Sequence, residues 1–90
     1  MIKGKTESGF EFELSDRVKD DYEVIEALVR YFKNLTYQNF VDFKDKMFAG
    51  AEETEKKAKD FLRERDGYVS TRAMTELVFE IWNTAKELKN

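Results

Sequence analysis

The chain has 90 residues, 16 basic and 19 acidic, with 41% hydrophobic and 14% aromatic content. Those figures fit one small folded domain, and they argue against a disordered chain or a basic nucleic-acid binder. It has no Cys and no His, which excludes disulfides, thiolate or imidazole metal sites, and catalysis by either side chain.

Residues 1–14 read as a β-hairpin. Ile2 to Thr6 and Phe10 to Leu14 flank Glu7-Ser8-Gly9, with Gly at a turn position that favours positive φ. Phe10, Phe12 and Leu14 alternate with Glu11 and Glu13, so one face of the second arm turns inward. A lone hairpin is marginal in water, so this face must rest on helices. Ser15 with Asp16, and then Asp20 with Asp21, are turn or cap candidates.

From Tyr22 to about Lys33, Ile25, Leu28, Val29 and Phe32 fall at i, i+3, i+4 and i+7. Val24, Tyr31 and Leu35 widen that stripe, and the spacing predicts that this is the most buried helix. Thr36 caps the next helix, in which Tyr37, Phe40, Val41, Phe43, Met47 and Phe48 share a broad face. Lys44 falls inside that face, and a fully buried Lys is rare unless paired, so the face is expected to split between core and edge with the Lys44 stem snorkelling between. Gly50 then fits a helix C-terminus.

A charged helix is expected from about Glu52 to Arg65. Its candidate i, i+4 pairs are Glu52–Lys56, Glu53–Lys57 and Glu55–Lys59, over a narrow apolar face of Ala51, Ala58, Phe61 and Leu62. Asp66-Gly67 is a turn, and Ser70 caps a last helix with Val69 and Met74 at the two positions of a hydrophobic staple. Met74, Leu77, Val78, Ile81, Ala85 and Leu88 make its stripe; Trp82 sits on the flank and Phe79 lies outside the arc. The expected fold is a single α+β domain over 1–90, mostly α. A hairpin at 1–14 packs on a small bundle of about four helices within 20–90.

The motifs that would carry chemistry are missing. With Gly67 at the sixth position of a calcium loop, Leu62 and Ala73 occupy positions that need carboxylates. Asp20-Asp21 and Glu52-Glu53 sit at helix starts, where acidic residues are favoured for structural reasons. Glycines 4, 9, 50 and 67 form no phosphate loop, and no serine has a His partner. The reading is therefore no enzyme, no cofactor and no metal. No segment has a basic surplus and there is no apolar run of about 18 residues. Neither nucleic acid nor membrane is expected as a partner, and the location is expected to be cytoplasmic. Aromatic rings exceed what the central arcs of the helices need. Phe40, Phe43, Met47, Phe79 and Trp82 are therefore the expected contact residues for a partner protein or a second copy.

Three stretches, taken in order, resemble the tail assembly chaperones of tailed phages and prophages, especially the small ones of Gram-positive hosts. They are Lys5-Thr6-Glu7-Ser8-Gly9-Phe10-Glu11-Phe12, Asp20-Asp21-Tyr22-Glu23 leading into Ala27-Leu28, and Phe61-Leu62-Arg63-Glu64-Arg65-Asp66-Gly67-Tyr68-Val69. The helix that follows, to Lys89-Asn90, also fits, whereas residues 36–50 match least well. The resemblance implies a non-enzymatic helper in tail building that keeps the tape-measure protein soluble and helps recruit tail-tube subunits. It also implies, as in many such phages, a longer product made by ribosomal frameshifting. The alternative reading is a small acidic phage-encoded regulator that binds a host protein or mimics DNA.

Overall fold

The alternating segment around Phe12 becomes one arm of an antiparallel hairpin. In the computed structural model, which describes residues 1–88, strand β1 (Ile2–Lys5) pairs with β2 (Glu11–Leu14), Ile2 opposite Leu14 and Gly4 opposite Phe12. The turn closes through Thr6 N–H to the Phe10 carbonyl and Gly9 N–H to the Thr6 carbonyl, with Gly9 at φ 95°. That angle is open to glycine at little cost. Ile2, Phe10, Phe12 and Leu14 are buried while Lys3, Lys5, Glu11 and Glu13 are exposed, the period of two expected for a sheet with one dry face.

A 3-10 turn at Asp16–Lys19 follows, burying Val18. Four helices complete the domain: α1 (Tyr22–Lys33), α2 (Tyr37–Phe48), α3 (Glu52–Asp66) and α4 (Thr71–Glu87). Each start has a local cause. The Asp21 carboxylate accepts from Glu23 N–H, the Thr36 hydroxyl from Asn39 N–H, and the Ser70 hydroxyl from Ala73 N–H, each satisfying a donor the helix cannot. Ala51 precedes α3 without a side-chain cap. Instead, Glu52 accepts from Gly50 N–H, and Thr54 donates to the Glu13 carbonyl at 2.6 Å, tying α3 to β2. Gly67 ends α3 in the left-handed region at φ 86°. An α+β domain, mostly helical, is therefore what the chain forms. The extension of the last helix to Lys89 and Asn90 lies outside the described residues.

Burial is distributed differently from the sequence expectation. Helix α4 is the central element, burying Met74, Leu77, Val78, Ile81, Trp82 and Ala85. Strand β1 rests on α4, α3 flanks both α4 and β2, and α1 and α2 pack as an antiparallel pair. Helix α1 fully buries only Val24 and Ala27, which corrects its expected place as the most buried helix. Of the three Glu–Lys pairs expected along α3, Glu55–Lys59 is formed at 3.4 Å; Glu52 is taken up at the helix start by Gly50 instead.

Candidate functional site

The aromatic residues expected to be surplus form the joint between the α1–α2 pair and α4. Phe43 stacks on Phe79 at 5.4 Å between ring centres and meets Trp82 edge-on at 5.7 Å. Phe79 also stacks on Tyr31 at 5.7 Å and touches Phe40 at 6.2 Å and Phe32 at 6.0 Å. These separations are those of favourable aromatic pairs. As a result Phe43 and Met47 are wholly buried, Phe40 and Trp82 nearly so, and Phe79 half-buried. Phe43, Met47 and Trp82 therefore belong to the core and not to an exposed contact surface, whereas Phe79 stays half-buried and Phe40 borders an apolar groove. The physical reason is that α2 and α4 meet, so the flank of each helix becomes the other's core.

Apolar surface is left uncovered elsewhere. On α1, Tyr22 is 75% exposed, Ile25 37%, Val29 45% and Phe32 62%, and Leu35 just beyond the helix is 70% exposed. At 100° per residue the four helical positions share one stripe, turned roughly 130° from the inward direction of Val24, Ala27, Leu28 and Tyr31. Glu26 and Lys33 border the stripe on its outer edge by the same count. Ile25, Val29 and Phe32 belong, with Leu28, to the i, i+3, i+4, i+7 series whose spacing predicts an interior face; Tyr22 lies outside that series. The distinguishing signal was the placement of Ala27 and Val24, small side chains suited to the close approach of another helix.

A second apolar surface is a groove of about 330 Å³ between α2, α3 and the start of α4. Tyr37, itself 77% exposed, and Val41 form one wall; Val69 and Met74 form the other, with Phe40 between them. Lys44 and Lys59 close one end. Lys44 Nζ lies 2.6 Å from Glu55 Oε2 and 2.8 Å from Asp45 Oδ1, and Lys59 reaches the same Glu55 oxygen at 3.4 Å. Burial disfavours the Lys44 charge, but the hydrogen bonds and attraction of Asp45 and Glu55 outweigh it and hold its pKa above the ordinary lysine value. The lysine expected to snorkel is therefore anchored by a carboxylate from the neighbouring helix. Its side chain is only 13% exposed.

The remaining titration shifts are local. Arg65 holds the Asp66 carboxyl below its usual range, and backbone N–H groups of Glu52 itself and Gly50 do the same for Glu52. Among the described residues, no cluster of acidic side chains has the geometry to hold a metal ion, and no helix is long and apolar enough to cross a membrane. No protein family, curated protein or solved structure matches the chain.

Proposed function

We propose that this chain is a non-enzymatic protein-binding module that holds an amphipathic helical segment of another polypeptide in the groove between α2 and α4. The observation that carries the reading is the groove itself: Tyr37, Phe40, Val41 and Met74 line it together, and Tyr37 and Val41 are left exposed. Helix-in-groove recognition uses such a trough to take apolar anchors spaced along one helix face. Aromatic side chains and Met are the residue types favoured at interface centres. Lys59, about half exposed at the end of the trough, selects partners with an acidic residue beyond the apolar anchors.

The sequence resemblance to tail assembly chaperones supplies the partner. On this reading the held segment belongs to the tape-measure protein, a long helical polypeptide that needs its apolar stripes masked before the tail forms. Tail-tube subunits are the second partner the resemblance implies. The test is co-expression with a phage tape-measure protein. Soluble tape-measure yield is expected to rise several-fold, and Val41→Asp in the exposed wall is expected to abolish the gain while leaving the fold intact. Unchanged yield with the wild-type chain defeats the chaperone reading; full rescue by Val41→Asp defeats the groove as its site.

A further inference from the structure

The stripe on α1 is separate from that groove, because Tyr37 and Val41 face α3 and α4 whereas Tyr22, Ile25, Val29 and Phe32 lie on the flank of α1 away from α2. The direction follows from the inward face: Tyr31 meets Phe40 of α2 and Phe79 of α4, and the centre of the stripe lies roughly 130° round the helix from that face. The positions 22, 25, 29 and 32 repeat at intervals of three and four, the spacing of a helix–helix seam. With ~150–250 Å² for a whole aromatic side chain, the stripe and Leu35 leave apolar surface on the order of 500 Å². Monomers rarely leave a continuous patch much larger than a few hundred Å² open to water.

We infer that a second copy of this chain covers the stripe, α1 packing antiparallel on α1 about a two-fold axis near Val29. The charges select this occupant and its register. A two-fold axis lying across two antiparallel helices brings the same edge of each together. On that edge Glu26 and Lys33 stand seven residues apart with opposite sign. With the axis halfway between them, Glu26 of each copy faces Lys33 of the other. The same register sets Val29 against Phe32 and Ile25 against Leu35 across the interface. A parallel arrangement, with its two-fold axis along the helices, would instead set the Glu26 and Lys33 edge of each copy against the opposite edge of the other, at Leu28, and leave both charges without a partner. Ile25, Val29, Phe32 and Leu35 with the bordering charged side chains reach the order of 600 Å² per partner, the lower end of specific interfaces. The inference does not depend on the groove or on what the groove holds.

The experiment is light scattering after size exclusion, from micromolar to submillimolar protein. Twice the chain mass of 10.7 kDa is expected at the upper end. Val29→Asp, an exposed position, should give a monomer with unchanged helical circular dichroism, because a change near the axis acts twice. Glu26→Lys alone and Lys33→Glu alone should each weaken the dimer several-fold by setting like charges together. An equimolar mixture of those two variants should restore it, since each then meets its opposite at both edges. A monomeric mass throughout the range overturns the inference, as does a dimer indifferent to Val29→Asp. A mixture no tighter than its separate components overturns the antiparallel register.

Discussion

Truncating Phe43 tests whether the aromatic joint or the exposed stripe holds the domain together. The side chain is wholly buried between the rings of Phe79 and Trp82. Removing such a ring costs ~3–5 kcal/mol through lost transfer energy and the cavity left behind. Two aromatic pairs, worth ~0.5–1.5 kcal/mol each beyond their area, place Phe43→Ala toward the upper end. A domain of this length has a total stability of roughly 5–13 kcal/mol, so the variant loses a third or more of it. At ~4–8 °C per kcal/mol, the melting temperature falls by ~15–30 °C. Val29→Ala, on the half-exposed stripe, is expected to cost ~0.5 kcal/mol or less in the monomer. Urea titrations followed by circular dichroism, on dilute protein so that association does not contribute, measure both. A loss below ~1.5 kcal/mol for Phe43→Ala, or an equal loss for Val29→Ala, refutes the division into joint and surface drawn from burial.

Three further outcomes follow from individual contacts. Thr54→Val removes the hydroxyl donor to the Glu13 carbonyl and is expected to cost about 1 kcal/mol; faster hydrogen exchange of the β2 amides would report it, and unchanged protection would disprove the tie. Gly67→Ala should cost ~1–2 kcal/mol through backbone strain alone, because φ is 86° and no atom lies within 4 Å of an added Cβ; a neutral result in thermal melts would contradict the left-handed helix end. The Lys44 pKa is raised in the fold, so its stabilising contribution is complete below the ordinary lysine value and fades as pH rises through the raised one. The stability gap between wild type and Lys44→Met should therefore hold steady from neutral pH to about the ordinary lysine value of 10.5 and narrow above it. Denaturant titrations at several alkaline pH values check this, and a gap indifferent to pH would count against the pairing with Glu55 and Asp45.

Local signals in the sequence carried most of the architecture. The alternation of Phe10, Phe12 and Leu14 with Glu set the hairpin face, and Gly9 and Gly67 marked the turns. Thr36 and Ser70 marked two helix starts. These features depend on neighbours a few residues away, so reading the chain in order finds them. The Lys44 environment was half legible: its place in an apolar arc pointed to a snorkelling stem, but the pairing with Glu55, eleven residues on in another helix, could not be named from spacing.

Local patterning along the chain was enough to specify the elements, most of their caps and the faces they could offer to a core. Which of those faces were used was settled by how the helices pack on one another. Helices α1 and α4 both carry apolar stripes adequate for burial, and periodicity is blind to which one lies in the middle. Packing chose α4, because it meets the hairpin, α2 and α3, whereas α1 packs mainly on α2. Helix α1 was then left to dock through Val24 and Ala27 with Tyr22, Ile25, Val29 and Phe32 turned to water. The rings of Phe40, Phe43 and Trp82 went inside for the same reason: a side chain's exposure belongs to the helix packed against it, and that neighbour is fixed by the fold, not by the residue's own place in the helical repeat.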